Sequence, residues 1–344
     1  MAEHGRPATA VRSIKRRVPV KSSPLDLVTI ETPVSGTTLP VVVRPAVDDV
    51  DPVRWATLAH DEMMALLARH GGILFRGFEI SSESQFQRFI QALSGDLLPY
   101  TERSSPRTQV QGNIYTSTDH PPDQPIFLHC ENSYQKTWPL KIFFYCRIQP
   151  ERGGETPIAD VRRVLARIDP SVRETFQQKG VLYIRNFGSG LGLPWQTVFQ
   201  TTDQQDVERY CKETGIECEW HDSGRLTTRH VRKAIRKHPL TGDDVWFNHA
   251  VFFHFSTLAP DIQNTLRAVL SEEEMPNNTY YGDGTPIPPD VLDHLRNAYE
   301  KETVYFSWAT GDVLMLDNML AAHGRAPYSG PRKILVGMTE PHSE

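Results

Sequence analysis

The sequence has 344 residues, of which 39% are hydrophobic and 23% are charged, and its formal net charge is −5. These values are typical of a water-soluble globular protein that forms one large domain or two ordinary ones. They lack the strongly basic character of nucleic-acid-binding proteins. No apolar run approaches the roughly 18 residues of a membrane-spanning helix. We therefore expect neither nucleic acid nor a membrane as a partner.

The four cysteines and the N-terminal segment indicate the cellular compartment that we expect for the protein. No two cysteines form a C-x-x-C pair, so the sequence predicts a reducing, cytoplasmic setting without a disulfide framework or structural zinc. Residues 1–26 carry several Arg and Lys without a following apolar segment, which favours a disordered basic tail over a secretory signal. A transit peptide and docking to an acidic partner stay open as alternatives. Residues 27–344 are expected to form a single domain.

Apolar periodicity and turn residues predict the regular elements. Asp51 and Ser82 are expected to be helix N-caps because their side chains can accept from free backbone amides. The predicted helices cover 51–70, 82–93, 161–168, 171–179, 203–214, 261–270 and 289–299. The predicted strands cover 73–77, 142–145, 181–186, 218–220, 226–228, 245–247, 304–306, 313–316 and 334–338.

The order of these elements predicts a mainly β protein with helical insertions. The apolar runs are short and spaced by turns, and the sequence shows no βαβ alternation and no repeat. A jelly roll, which closes short strands around a cavity, is the natural candidate. Residues 99–125 are rich in Ser, Thr, Pro, Asp and Gly, so they are predicted to form a long loop that acts as a lid.

The stretch from Phe127 to Tyr134 places His129 and Glu131 two residues apart between apolar runs. In a strand, such residues point to the same face. Together with one distant histidine they would form the 2-His-1-carboxylate triad of non-haem iron oxygenases. By itself the H-x-E pattern is weak, because a strand edge with two polar side chains is the commoner explanation.

A distant histidine and an arginine strengthen this interpretation. His323 follows a strand-like run and precedes a glycine, and Arg332 begins the next strand nine residues later. A 2-oxo acid can chelate iron through its keto oxygen and adjacent carboxylate. The far carboxylate of 2-oxoglutarate then needs a cation, ideally Arg332, whose guanidinium makes two parallel hydrogen bonds. Thr156 is a candidate for an additional hydroxyl contact.

The sequence resembles the TauD/TfdA family of Fe(II)- and 2-oxoglutarate-dependent dioxygenases over about residues 66–338. The motifs that carry the resemblance are His70-Gly-Gly-Ile-Leu-Phe-Arg-Gly77, His129-Cys-Glu131, Gly153-Gly-Glu-Thr156, His238-Pro-Leu-Thr-Gly242 and His323-Gly-Arg325 with Arg332. The resemblance implies a double-stranded β-helix (jelly roll). It also implies an enzyme that uses Fe(II), 2-oxoglutarate and O2, with His129, Glu131 and His323 as catalytic metal ligands and with Thr156 and Arg332 binding 2-oxoglutarate.

Further motifs are similar to the syringomycin-type hydroxylases of non-ribosomal peptide biosynthesis. They are Tyr183-Ile-Arg-Asn186, Leu193-Pro-Trp-Gln196, Trp246-Phe-Asn-His249, Phe253-His254, Tyr281-Gly-Asp-Gly284 and Leu316-Asp-Asn-Met319. This resemblance implies a small-molecule substrate, an amino acid that is free or presented by a carrier protein, in specialised metabolism. Desaturation or cyclisation is an alternative outcome to hydroxylation. The sequence leaves open whether the enzyme is a homo-oligomer.

Two positions narrow the chemistry that the resemblance implies. The taurine enzyme holds its sulphonate with an Arg four positions after the co-substrate Arg, where this sequence has Val336, which argues against a sulphonate substrate. Related halogenases replace the metal-binding carboxylate with a small residue so that chloride can bind, and Glu131 favours a chloride-free oxidation. A non-catalytic, cupin-like metal-binding module is the alternative from another functional class.

Other polar side chains are candidates for substrate contacts. Arg185, Asn186 and Arg325 are expected to contact a polar or carboxylate-bearing substrate, although backbone pairing or a structural ion pair would explain each of them equally well. Three further histidines are expected to be packed core residues: His238, His249 and His254. Arg103 and Arg107 lie within the predicted lid.

Overall fold

The computed structural model describes residues 23–188 and 190–344. The greater part of the predicted basic tail, residues 1–22, lies outside the described residues. Among the described residues, the first regular element is a 3-10 turn at Pro24–Leu27, which overlaps the end of the predicted tail. This turn is anchored to the domain, since the indole N–H of Trp55 donates to the carbonyl of Pro24 at 3.0 Å.

The helices lie mostly where the sequence predicts them. In the described residues they are α1 Pro52–Leu58, α2 His60–His70, α3 Glu83–Ser94, α4 Val161–Arg167, α5 Pro170–Lys179, α6 Trp195–Phe199, α7 Gln204–Thr214, α8 Pro260–Arg267 and α9 Pro289–Glu302. Asp51 and Ser82 cap α1 and α3 through their side-chain oxygens, as predicted. The single helix predicted over 51–70 is wrong, because the backbone leaves helical geometry at Ala59 without a Pro or Gly to signal it.

The strands are more numerous than predicted. In the described residues they are β1 Val28–Glu31, β2 Val41–Pro45, β3 Gly72–Phe75, β4 Gln109–Gln111, β5 Ile114–Thr116, β6 Ile126–His129, β7 Thr137–Ile148, β8 Arg152–Gly153, β9 Ile158–Asp160, β10 Val181–Phe187, β11 Glu217–Trp220, β12 Leu226–Arg232, β13 Ile235–Lys237, β14 Asp244–Trp246, β15 Asn277–Tyr281, β16 Thr303–Val304, β17 Val313–Asp317, β18 Ala321–Arg325, β19 Tyr328–Ser329 and β20 Lys333–Ser343. The predicted loop over 99–125 contains the β4–β5 hairpin, so it is only partly a loop.

Two sheets enclose the core on which the candidate site is built. The larger has eight strands in the order β1-β2-β3-β17-β7-β20-β5-β4, and the smaller has four in the order β16-β9-β18-β6. Phe144 and Leu314 of the larger sheet and Ile158 and Ala321 of the smaller sheet belong to one buried apolar cluster. The two sheets therefore pack face to face, and burial of their apolar faces stabilises the arrangement.

The chain between β9 and β16 supplies most of the helical insertions and a further four-stranded sheet, β11-β12-β10-β15. A second apolar cluster joins this sheet to the smaller sheet and to α4, α5 and α9. The prediction of a mainly β protein with helical insertions is confirmed. In the described part of the chain, no helix has the length and apolarity needed to cross a bilayer.

Candidate metal and co-substrate site

Strand pairing brings together two of the predicted metal ligands. His129 is the last residue of β6, and His323 is its direct partner on the antiparallel strand β18. Their ring centroids are 4.5 Å apart. Residues opposite each other on neighbouring antiparallel strands carry their side chains on the same face, which explains why histidines far apart in sequence converge.

Glu131 reaches the same place by a different route from the one predicted. The strand ends at His129, so the alternation argument does not apply, and Glu131 lies in a turn in which Asn132 has a left-handed backbone with φ of 56°. The buried side chain of Asn318 fixes this turn. Its Oδ1 accepts from the amide of Glu131 at 2.7 Å, and its Nδ2 donates to the Glu131 carbonyl at 2.8 Å.

The three side chains form a compact, buried donor set. One possible ligand atom from each of His129, Glu131 and His323 lies within 4.8 Å of the others. Oε2 of Glu131 is 3.8 Å from Nε2 of His323. Two imidazoles and one carboxylate on one side of a cavity are the donors of the facial triad that binds Fe(II). The residues present therefore fit a divalent transition metal.

Neighbouring groups orient the imidazole of His129, and burial keeps the imidazoles of His129 and His323 neutral. Nδ1 of His129 lies 2.9 Å from the carbonyl oxygen of Phe127, and its ring stacks on Phe252 with centroids 4.2 Å apart. Donation from Nδ1 leaves Nε2 of His129 free for a metal. Burial lowers the pKa of both His129 and His323 below the usual 6.5. A neutral imidazole is the form that binds metals.

His249 supports the same turn from behind. Its Nε2 donates to the carbonyl of Cys130, the residue between the two ligands, at 2.8 Å, and its ring packs edge-on against His129. Burial holds the pKa of His249 well below 6.5, so the ring is neutral. It is a packed core histidine, as predicted, and it also positions the segment that carries the candidate metal ligands.

A cavity beside the triad contains both residues predicted to bind 2-oxoglutarate. Its lining includes His129, His323, Thr156 and Arg332. The indole N–H of Trp308 donates to the hydroxyl oxygen of Thr156 at 3.1 Å, which fixes the direction of that hydroxyl. Burial lowers the pKa of Arg332 to about 10, so the guanidinium remains cationic at neutral pH.

The Gly153-Gly154 pair allows the chain to pass close to Arg332. Nε of Arg332 donates to the carbonyl of Gly154 at 3.0 Å. Gly154 has φ of +71°, and a Cβ there would lie 2.8 Å from Cγ of Pro150 and 3.1 Å from Cδ of Arg332. A side chain at Gly154 would therefore displace the arginine.

The candidate substrate residues fall into two groups. Arg325 lines the cavity, but its terminal nitrogens donate to the carbonyls of His120, Pro121 and Gln124. Arg185 and Asn186 lie outside the lining. Arg185 is buried against Glu102, with Nη1 and Oε1 3.5 Å apart, and the Asn186 amide donates to the carbonyls of residues 273 and 275. Their contact with a substrate stays a prediction.

Two residues that shape the site have no predicted role in it: Arg107 and Asn318. The sequence places Arg107 only in the predicted lid, yet its Nη2 donates to Oε2 of Glu131 at 2.7 Å. Asn318 lies in the motif Leu316-Asp-Asn-Met319, which the resemblance had singled out without giving a role to any of its residues. No local signal in the sequence reveals either contact, because each joins distant parts of the chain.

Comparison with known protein families shows to which family the chain belongs. The family model described as taurine catabolism dioxygenase TauD, TfdA family, matches residues 35–339. The chain belongs to the TauD/TfdA family. This confirms the predicted family and the predicted enzyme class, a non-haem iron dioxygenase whose cofactors are Fe(II), 2-oxoglutarate and O2. A small-molecule substrate is consistent with membership of this family and with the similarity to a dapdiamide synthesis protein.

Individual relatives agree with this family. The dapdiamide synthesis protein DdaC of Enterobacter agglomerans is 41% identical over 82% of this chain and 86% of its own length. A clavaminate synthase-like protein of Arabidopsis thaliana is 34% identical over 80% of this chain and 83% of its own. The crystal structure of PvcB from Pseudomonas aeruginosa has a TM-score of 0.56 at 13% identity, covering 95% of this chain and 94% of that one. At that identity PvcB shows the fold alone.

Proposed function

We propose that the enzyme hydroxylates an unactivated C–H bond of an amino acid or an amino-acid derivative. His129, Glu131 and His323 would hold Fe(II), and Thr156 and Arg332 would bind 2-oxoglutarate. One observation carries the proposal: the donor atoms of the triad are clustered, and its two histidines line a cavity that Thr156 and Arg332 also line. Iron bound there would supply O2 activation coupled to conversion of 2-oxoglutarate into succinate and CO2, the chemistry that oxidises the substrate.

The protein's own part is to orient the reactants and exclude water. Arg332 would grip the distal carboxylate of 2-oxoglutarate through parallel hydrogen bonds, and the Thr156 hydroxyl, fixed by Trp308, would complete the contact. His129 and His323 are almost fully buried, which keeps bulk water from the metal positions that the reactants need. Glu131 in the carboxylate position leaves no place for chloride, which supports hydroxylation over halogenation.

The substrate class rests on the relatives. DdaC is a dapdiamide synthesis protein, and another of the similar proteins is clavaminate synthase-like, which supports a role in specialised metabolism. Val336 in place of a sulphonate-binding arginine argues against taurine. The substrate is then an amino acid, free or presented by a carrier protein.

The fold supports the same proposal. The two facing sheets would correspond to the major and minor sheets of a double-stranded β-helix, and residues 27–344 would form one domain around it. The segment 99–125 would act as a lid, since Ser117 and Thr118 from it line the cavity beside Arg325 and Arg332.

A substrate screen tests the proposal. The Fe(II)-loaded enzyme is incubated with 2-oxoglutarate, ascorbate and a panel of amino acids and aminoacyl carrier proteins, and succinate is measured. We expect one panel member to stimulate succinate release and to gain one oxygen atom in mass spectrometry. Loss of two hydrogens instead would indicate desaturation or cyclisation. Glu131→Ala should abolish turnover, whereas Glu79→Ala, which removes an exposed carboxylate, should not. Full turnover in Glu131→Ala or absence of iron binding by the native enzyme would contradict the proposal.

A further inference from the structure

Arg107 is a buried guanidinium with unused hydrogen-bond donors beside the predicted metal ligands. It is 7% exposed and lines the cavity together with His129 and His323. Nη2 donates to Glu131 at 2.7 Å, and the guanidinium lies over the ring of Tyr100. Nε and Nη1 have no hydrogen-bond partner among the residues that the structure describes.

Unused donors on a buried cation are energetically costly. A guanidinium carries five N–H groups in a planar fork, and a buried donor without an acceptor loses its hydration without replacement. The geometry of that fork matches a carboxylate, which can accept two parallel hydrogen bonds. The open donors of Arg107 therefore point to an anionic ligand.

The other two arginines that line the cavity, Arg325 and Arg332, have other partners or another proposed ligand. Arg325 donates to three main-chain carbonyls of the segment 120–124. Arg332 lies near Gly154 and Ser117, and the proposed function assigns it the distal carboxylate of 2-oxoglutarate. Among the described residues that line the cavity there are three arginines and no carboxylate. The cavity thus carries more positive charge than one distal carboxylate balances.

Glu131 neutralises Arg107 only while its own charge is not shared. The two side chains form a buried ion pair with exposures of 3% and 2%. Once Glu131 shares its negative charge with a divalent metal, the guanidinium is left with a weaker counter-charge in a region from which water is excluded. A second carboxylate on the metal side would restore the balance.

We propose that Arg107 is a second carboxylate-binding residue of this cavity, placed at its metal end while Arg332 serves the other end. The proposal rests on the proposed function. Two sources offer the same chemistry: the metal-chelating carboxylate of 2-oxoglutarate and the carboxylate of an amino-acid substrate. In either case Arg107 selects for an anionic ligand, and Glu131 holds the Arg107 guanidinium in position until that ligand binds.

Binding measurements without oxygen test the proposal and separate the two sources. The native enzyme, Arg107→Gln and Arg107→Lys are loaded with Fe(II), and 2-oxoglutarate is titrated while the metal-to-ligand charge-transfer absorption is followed. Free amino acids and their carboxamides are then titrated calorimetrically into the 2-oxoglutarate complex. Arg229→Gln is the matched control, because Arg229 also donates to a glutamate at 2.7 Å but on the exposed surface.

Weaker 2-oxoglutarate binding in Arg107→Gln, by roughly 10- to 100-fold, with Arg229→Gln unchanged, assigns the co-substrate carboxylate to Arg107. The second source is the substrate carboxylate. Arg107 binds it if Arg107→Gln leaves 2-oxoglutarate binding unchanged but abolishes a native preference for a free amino acid over its carboxamide. Arg107→Lys keeps the charge but loses the fork, so it should fold normally and bind with intermediate affinity. The inference is overturned if Arg107→Gln binds 2-oxoglutarate like the native enzyme and also keeps the native preference, or lack of preference, for a free amino acid over its carboxamide. Failure of the native enzyme to bind iron or 2-oxoglutarate would instead count against the proposed function.

Discussion

Asn318 holds Glu131 by both of its backbone polar groups, although 187 residues separate them in sequence. The same side chain also donates to the carbonyl of Pro139, so one buried amide joins the turn that carries Glu131, the start of β7 and the end of β17. Groups of this kind orient metal ligands without touching the metal. The position of Glu131 therefore depends on a residue that contacts no reactant.

Replacement of Asn318 by Ala should weaken metal binding. Loss of its contacts leaves the buried amide and carbonyl of Glu131 without partners, which frees the turn and costs stability. We expect Fe(II) affinity to fall by about 10- to 100-fold. Metal titration followed by thermal melting measures both effects. The control is Asn297→Ala, which removes an exposed amide on α9; equal effects of the two substitutions would contradict the assigned role.

Replacement of Arg332 by Gln should weaken 2-oxoglutarate binding and leave metal binding intact. A neutral amide cannot make the charge-assisted pair with a carboxylate, so we expect the KM for 2-oxoglutarate to rise roughly 10- to 100-fold. Lys333→Gln is the control, since it removes the neighbouring cation, whose Nζ lies 3.9 Å from Glu83. An unchanged KM in Arg332→Gln would exclude Arg332 from the co-substrate site.

Alanine at Gly154 should act on the co-substrate through Arg332. Both Gly154 and Gly242 have left-handed backbone conformations, at φ of +71° and +74°, so alanine should cost each of them about 1 to 2 kcal/mol of stability. A Cβ at Gly154 would also press against Arg332, whereas Gly242 faces open space. We expect only Gly154→Ala to raise the KM for 2-oxoglutarate. A similar KM in both variants would show that the close approach is unimportant.

The stability of the metal-free protein should fall in mild acid. Burial lowers the pKa of His254 to about 4 and that of His230 to about 3, against 6.5 for an ordinary histidine. Below pH 6.5 the unfolded chain therefore binds protons that the folded chain does not. The free energy of unfolding should then decrease with falling pH by about 1.4 kcal/mol per pH unit for each such histidine.

Urea denaturation between pH 7 and pH 5 measures this slope. His254→Gln should make the dependence shallower by the share of one histidine, while Asn297→Ala, which removes no titratable group, should leave it unchanged. A flat pH profile of the native protein, or equal profiles of the two variants, would argue against neutral buried histidines.

Much of the candidate site can be predicted because its residues lie in short motifs that are recognisable in the local sequence. His129, Glu131, Thr156, His323 and Arg332 stand in short motifs beside strands. In the structure four of them line one cavity, and Glu131 lies beside its two histidines. Glu131 nevertheless lies outside the strand on which it was expected. A turn held from a distance, and not strand alternation, brings the carboxylate to the histidines.

What could not be predicted depends on contacts between distant segments. Nothing near Arg107 in the sequence indicates that its guanidinium meets Glu131, since that contact depends on the path of the segment 99–125 over the sheet. The β4–β5 hairpin in this segment was missed because its composition is that of a loop, and pairing of β5 with β20 overrides that preference. The break at Ala59 likewise has no local cause in the sequence.

Because His129 and His323 are direct partners on neighbouring strands, metal binding by both residues requires the correct register of β6 and β18. Because side chains alternate along a strand, a slip of β18 by one residue would turn His323 away from His129 and bring Ala322 or Gly324 to its place. Only the correctly aligned pair of strands can offer both imidazoles to one ion. Bound metal would thus act as a cross-link between β6 and β18 that favours the native alignment by mass action. Recovery of metal affinity during refolding would report the moment at which these strands reach their final alignment.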